Sequence, residues 1–365
     1  MNTSSKLKIA IIGTVGIPSR YGGFETLAEN LVDQLEGNYK FTVYCSAPNY
    51  KNDRKKTYLG AVLKYLPFQA NGKSSIIYDV VSILHAMFFA DVLLILGVSG
   101  AFMIRFVRWF TNKKVITNID GLEWKRDKWG ALAKKYLKKQ EKIALRFSHH
   151  TIVDNKGIEN YVLERYGLPS TLIAYGADHV FYRKLSESTR DELQLPERFA
   201  FKVCRIEPEN NIHIILKAFG NTELNLVVVG NWNNSDYGKE LKKEYSVFKN
   251  LYLLDSIYDP IKLNELRGNC FVYIHGHSAG GTNPSLVEAM YLGLPIVAFD
   301  VNYNRHTTKD EALYFKTDVD LLRLLDSEIR DADRLHRVAS QMRSIAEANY
   351  TWKIICNSYE RLFRN

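Results

Sequence analysis

Short apolar runs alternate with stretches of helical periodicity along this chain, and the pattern runs through twice. Lys8–Ile12 is apolar over its last four positions and ends in a glycine-bearing loop, Gly13–Gly23. Phe24–Leu35 then places Leu27, Ala28, Leu31 and Leu35 three and four positions apart, which predicts a helix with one buried face. Phe41–Cys45, Val92–Leu96, Val115–Asn118 and Thr151–Val153 are the further strand candidates of the first half. The second half repeats the alternation with Phe199–Val203, Leu226–Val229, Leu251–Leu254, Phe271–Ile274 and Ile296–Ala298. Strands alternating with helices predict an α/β fold whose parallel sheets are covered on both faces.

The break between the halves is expected after Tyr175-Gly176-Ala177-Asp178, in the polar stretch Arg183–Pro196. This gives two domains, 1–180 and 181–350, and a terminal helix, Thr351–Phe363, that either domain could receive. A length of 365 residues suits two cores better than one. The longest apolar region, Ser74–Phe110, is interrupted by Asp79, His85, Asp91 and Arg105, and its clean run Val92–Ile104 has 13 residues. A bilayer-spanning helix needs about 20. The region reads as a buried helix, a buried strand and the start of another helix.

The richest stretch for chemistry is His275–Met290. An apolar run enters a loop of Gly and small polar residues, and Thr282 or Asn283 can cap a helix with Pro284 at or near its first position. Such a helix start offers backbone N–H groups and a partial positive charge to a phosphate. One turn further in, Glu288 can accept hydrogen bonds from the neighbouring hydroxyls of a ribose. An ordinary glycine-rich loop with a solvated Glu has the same spelling, so the loop alone does not decide.

Charge changes the picture at one place. The net charge is +9, and residues 125–146 hold nine Lys or Arg against the two acids Asp127 and Glu141. Trp129, Leu132, Tyr136, Leu137, Ile143 and Phe147 follow helical spacing, while Lys134, Lys135, Lys138, Lys139 and Lys142 fall mainly on the other face. Such a face is either simply solvated or rests on anionic lipid. No nucleic-acid motif accompanies it, so nucleic acid is not an expected partner. Four separated cysteines (Cys45, Cys204, Cys270, Cys356) suit buried thiols in a reducing compartment. The pairs His275/His277 and His149/His150 have no third ligand at readable spacing, so no metal is expected. The polar start Met1–Lys8 is no secretion signal, and a cytoplasmic location, peripheral at the inner face of the membrane, is the expectation.

With these pieces in order, the chain resembles a GT-B glycosyltransferase of family 4, closest to bacterial rhamnosyltransferase-like proteins carrying Tyr-Gly-Gly-Phe-Glu-Thr, here Tyr21–Thr26. The other motifs are Tyr175–Asp178, Arg205-Ile206-Glu207-Pro208-Glu209-Asn210-Asn211, the Gly280–Glu288 segment and Thr351-Trp352. The resemblance implies two Rossmann-like domains facing across a cleft, the first for the acceptor and the second for the donor. It implies hexosyl transfer, metal-independent and retaining, with no cofactor, since the nucleotide-sugar is a substrate. L-rhamnose from dTDP-rhamnose, passed to a polysaccharide or lipid-linked glycan acceptor of capsule or O-antigen type, is the expected reaction.

For the site, the resemblance implies that Gly22 and Gly23 admit the donor phosphates, that Arg205 and the amides of Gly281, Thr282 and Asn283 clamp the diphosphate, and that Glu288 holds the ribose. Ile257 and Tyr258 would flank the base. Asp120 stands where family members often carry a His, to meet donor sugar or acceptor, with Glu123 as second choice; both could instead cap the segment that follows. Two departures stand out: Gly280 where many members have Glu, and Asn210 where the partner Lys of the diphosphate-binding Arg is usual. Lys202, His213 and His277 are the candidates to replace that cation. A sugar-nucleotide-modifying enzyme such as an epimerase, or a non-catalytic membrane-associated scaffold, would use the same frame.

Overall fold

The computed structural model describes residues 6–19, 22–51, 53–125 and 129–364. The chain forms two compact units, one running up to Tyr175 and resuming at Trp352, the other Gly176–Thr351.

The first unit contains β1 (Lys8–Ile12), α1 (Gly23–Leu35), β2 (Lys40–Ser46), β3 (Thr57–Tyr58), β4 (Ala61–Leu66), α2 (Ser75–Ala86), β5 (Val92–Leu96), α3 (Met103–Phe110), β6 (Lys114–Asn118), α4 (Ala131–Phe147), β7 (His150–Val153), α5 (Lys156–Tyr166) and β8 (Thr171–Leu172). Its described strands lie in the order β3-β4-β2-β1-β5-β6-β7-β8, parallel except for the β3–β4 pair. β1 and β5 are buried almost throughout, as strands covered on both faces must be. The terminal helix also belongs here. Its tyrosine, Tyr359, receives a hydrogen bond from Asn118 Nδ2 at 3.0 Å, and Lys114 Nζ donates to the Phe363 carbonyl at 2.9 Å.

The second unit contains α6 (Glu187–Glu192), β9 (Ala200–Val203), α7 (Ile212–Phe219), β10 (Leu226–Val229), α8 (Asp236–Tyr245), β11 (Leu251–Leu254), α9 (Pro260–Gly268), β12 (Val272–His275), α10 (Pro284–Tyr291), β13 (Ile296–Phe299), α11 (Asn302–Thr308), β14 (Leu313–Phe315), α12 (Asp318–Asp326) and α13 (Ala332–Asn349); the terminal helix named above is α14 (Trp352–Arg364). Its strands are all parallel, in the order β11-β10-β9-β12-β13-β14.

In each unit the chain first builds outward from a central strand and then restarts on that strand's other side. The reversal falls between β1 and β5 in the first unit and between β9 and β12 in the second. Open parallel sheets bind ligands beyond the carboxyl ends of the strands at this switch point.

The polar stretch Arg183–Pro196 holds α6. Ser186 caps α6 by accepting from the Thr189 N–H at 3.2 Å, and the Glu265 carboxylate accepts from Ser186 Oγ and from Arg183 Nε. The stretch is polar because it is capped and ion-paired.

Candidate functional site

In the second unit the loop after β12 is tied down from within. Asn211 Nδ2 donates to the Gly276 carbonyl at 2.8 Å and Asn304 Nδ2 to the His277 carbonyl at 2.9 Å. Gly276 is a steric requirement, since a Cβ there would stand 2.2 Å from the Asn210 carbonyl oxygen. Asn283, rather than Thr282, caps α10, accepting from the Ser285 N–H at 3.0 Å with Pro284 in the first turn. Thr282 is buried, with its hydroxyl 3.5 Å from that of Thr307. Gly281 is buried beside it.

Glu288 lies one turn into α10, and it is not solvated. Its Oε2 is 2.6 Å from an Arg267 guanidinium nitrogen and its Oε1 is 3.2 Å from His179 Nε2, with 14% of the side chain exposed. Burial by itself would raise this carboxyl; the Arg267 charge and the His179 hydrogen bond overcome that and hold it below the ordinary carboxylate range. The Arg267 side chain is 5% exposed, and its Nε has no hydrogen-bond partner. Neither Arg267 nor His179 stands out in the sequence. The one available signal is that His179 directly follows the Tyr175–Asp178 motif.

Arg205 lies two residues past β9, the strand beside β12, so it and the 276–283 loop flank the switch point. Its guanidinium is 3.6 Å from Glu207 and partly exposed. Asn210 fills no cationic role: its amide donates to the Arg205 carbonyl at 2.9 Å and its Oδ1 meets His277 Nδ1 at 2.8 Å. Of the three proposed replacement cations, His213 is engaged with the Tyr237 hydroxyl at 2.9 Å, and burial pushes its pKa down. Lys202 is buried in β9, and desolvation lowers its pKa. Ile257 and Tyr258 follow β11, which β10 and β9 separate from β12, Ile257 half-buried and Tyr258 exposed.

Gly280 has φ +108, a conformation that L side chains rarely adopt. A Cβ there would also stand 3.1 Å from His277 Nε2. The loop as built therefore has no place for the Glu of the family pattern.

Two spellings that suggest other chemistries are accounted for by local structure. Gly276-His277-Ser278-Ala279-Gly280 matches a nucleophile elbow, Gly-x-Ser-x-Gly, which requires the serine on a sharp strand-to-helix turn. Ser278 instead donates its Oγ–H to the Glu209 carbonyl at 3.0 Å, six residues before the helix begins. Two Asp-x-Asp triplets also stand in the chain. Asp320 forms a capping box with Thr317 at the start of α12, and Asp331 caps α13. Among the described residues no group of three His, Cys, Asp or Glu could hold a metal ion.

In the first unit, Gly22 has φ +111 and sits at the N-cap of α1, where a Cβ would stand 2.1 Å from Glu25 Oε2. The positive φ is what calls for glycine there, since the Glu25 carboxylate is the far end of a flexible side chain and could move aside. Gly23 is the first residue of α1. Tyr21 of the same motif lies outside the described residues, as do Arg126 and Asp127. Glu25 is buried, and its Oε1 accepts from the Val15 N–H at 2.6 Å. Desolvation raises its pKa to about 7 despite the amide hydrogen bonds, and the charge of Asp120 adds to the rise. Asp120, just past β6, has φ +61 and donates its N–H to Asn118 Oδ1 at 2.9 Å. Glu123 accepts from Trp129 Nε1 at 3.0 Å within its own loop, and neither acid caps α4, whose N-cap is Gly130.

Comparison with known proteins agrees with this anatomy. Residues 186–344 match the family model of glycosyl transferases group 1, and residues 6–178 match a domain of unknown function (DUF1972). Sucrose-phosphate synthase from Thermosynechococcus elongatus superposes with a TM-score of 0.82 at 17% identity, covering 98% of each chain. Anabaena HepE, solved with UDP and glucose, gives 0.74 at 15% identity, covering 98% of this chain and 99% of its own. A glycosyltransferase from Rickettsia africae gives 0.75 at 13%, covering 99% and 100%. Among curated proteins, glycosyltransferase 1 domain-containing protein 1 of Xenopus tropicalis is 22% identical over 142 residues, 38% of this chain and 41% of that protein. The fold and the matched domain support a GT-B glycosyltransferase.

Proposed function

We propose that this chain transfers a sugar from a nucleoside-diphosphate donor to a glycan or lipid-linked hydroxyl, without a metal and with retention at the anomeric carbon. The observation that carries the reading is the pairing of Arg205 and the capped α10 start across the β9/β12 switch point, with an ionised Glu288 one turn behind. In this reading Arg205 and the amides of Gly281, Thr282 and Asn283 bind the diphosphate and stabilise charge as it leaves. Glu288 accepts from ribose hydroxyls, exchanging its His179 contact while Arg267 keeps it ionised. Ile257 and Tyr258 border the base. In the first unit Asp120 and Glu123 serve the acceptor side, and Gly22 and Gly23 shape the loop after β1.

The donor sugar proposed is a deoxyhexose such as L-rhamnose. Support comes from Gly280: without a carboxylate there, the site has one fewer acceptor for sugar hydroxyls. The ribose contact leans toward a ribonucleoside diphosphate such as UDP, present in a HepE structure, because UDP offers Glu288 two hydroxyls whereas dTDP offers only the 3′-hydroxyl.

A thermal-shift panel of UDP, GDP, ADP and dTDP tests this, followed by turnover with the matching sugars. A nucleotide at 100 times its Kd should stabilise the protein by about 2.7 kcal/mol. Arg205→Ala and Glu288→Ala should each abolish most turnover; near wild-type rates in both contradict the site. Release of no nucleoside diphosphate while the sugar changes would point to a sugar-nucleotide-modifying enzyme.

A further inference from the structure

Three neighbouring helices of the first unit leave unusual side chains in solvent. On α2 and the turn after it, Ile77, Leu84 and Phe88 are exposed at 52%, 42% and 83%. Their spacing of seven and four positions puts them on one helical line. On α3, Phe106, Trp109 and Phe110 are exposed at 42%, 64% and 73% and touch one another, with Phe106 6.0 Å from Trp109 and stacked 6.4 Å from Phe110. On α4 the exposed line is Lys135, Lys139, Lys142 and Arg146, spaced four, three and four.

The three helices share a side of the sheet. The crossovers joining β4, β5, β6 and β7 all progress in one direction through the sheet, and the right-handed connection that parallel strands take then puts α2, α3 and α4 on one face. Direct contacts tie them. Phe102, at the start of α3, donates its N–H to Gln140 of α4 at 2.8 Å, and the Gly100 N–H donates to Asp79 of α2 at 3.2 Å. The Arg105 guanidinium of α3 lies over the Phe147 ring of α4, 4.9 Å from its centroid. An apolar line, an aromatic cluster and a cationic line thus stand on three helices of one sheet face.

We propose that this face of the first unit is a docking surface for an anionic lipid bilayer. Phe106, Trp109, Phe110 and Phe88 enter the boundary between headgroups and acyl chains, and the α4 cations meet the lipid phosphates. The chemistry favours this occupant. Aromatic rings prefer the interfacial depth, and a cationic row beside them supplies the electrostatic half of interfacial binding. A second copy of the chain would set the α4 cations of one molecule against a surface with the same charge. No helix among the described residues is long and apolar enough to cross a membrane. The proposal stands apart from the glycosyl-transfer reading and can survive its failure.

The test uses the full chain and vesicles of phosphatidylcholine with 30% phosphatidylglycerol, against phosphatidylcholine alone. Sedimentation should show binding to the anionic vesicles that falls steeply as salt is raised. Trp109 emission should shift to the blue on binding and be quenched by brominated acyl chains. Each surface cation contributes about a fivefold factor in affinity, so Lys135→Gln, Lys139→Gln and Lys142→Gln together should weaken binding about 100-fold. Phe106→Ser with Trp109→Ser and Phe110→Ser should weaken it as much and leave nucleotide binding and melting temperature unchanged, since these side chains are exposed. Equal binding to neutral vesicles, or no loss in either triple variant, overturns the proposal. So does a stable dimer that the aromatic triple variant dissociates while vesicles remain unbound.

Discussion

Glu25 and Glu288 are buried acids near the starts of helices in the two units, and their pKa values shift in opposite directions. Each sits in the first turns of a helix that follows a glycine-bearing loop beyond a switch-point strand, β1 for Glu25 and β12 for Glu288. Both are withdrawn from water. Glu25 is given an amide, Val15 N–H, and an acid nearby, Asp120, so burial lifts its pKa to about 7. Glu288 is given a guanidinium and an imidazole, and it stays ionised. Burial sets the penalty for charge in both places, and the cation decides whether the charge survives. An ionised acid can only accept hydrogen bonds, which suits a ribose. A neutral one can also donate.

The largest way to break this comparison is to remove the cation. Arg267→Ala leaves Glu288 buried without its ion-pair partner and should destabilise the second unit by about 3–5 kcal/mol, read from the urea midpoint. If the cost is near zero, the pair does not hold the charge state. Arg205→Ala tests the ligand side instead: nucleoside-diphosphate affinity should fall about 10- to 100-fold, the size of one charged hydrogen bond, with little change in melting temperature.

The two acids should also have opposite pH dependences. The folded-state pKa of Glu25 lies above its ordinary 4.5, so its contribution to stability is complete below that value and is lost as pH rises through about 7. Glu288 has a depressed folded pKa, so its contribution is present above 4.5 and is lost as pH falls. Glu25→Gln should therefore flatten the decline in stability between pH 5 and 8 and raise the melting temperature at the alkaline end. A variant whose stability falls between pH 5 and 8 as steeply as the wild type's would show that Glu25 does not carry this pH dependence. The smallest effect is at the cap: Asn283→Ala should cost about 1 kcal/mol and weaken nucleotide binding slightly.

The sequence was most legible where burial dictates residue type. β1, β5 and β10 read directly from their apolar runs, and the region Ser74–Phe110 resolves into α2, β5 and α3. Elements that are short or half-exposed were not legible. β4 alternates buried and exposed positions over its first four residues, β8 has two residues and β14 three, too few for any period to register. The strand orders were also hidden, because a sheet's reversal point lies in long-range pairing that no local pattern encodes. The same limit explains the site. Glu288 and Arg205 announce themselves through motifs, but Arg267 reaches Glu288 from a separate helix, and its importance is a matter of geometry alone. Glu25 was spelled out within Tyr21–Thr26, yet its burial and its neighbour Asp120 belong to the folded sheet.

The central claim is that ionised Glu288 grips the ribose of a donor bound to the second unit. Calorimetric affinities of wild type and Glu288→Gln for the nucleoside diphosphate chosen by thermal shift, and for its 3′-deoxy analogue, test this directly. The account predicts that the wild type loses about tenfold on removal of the hydroxyl while Glu288→Gln, weaker for the parent, loses nothing further. A wild type that binds both nucleotides equally well would contradict it.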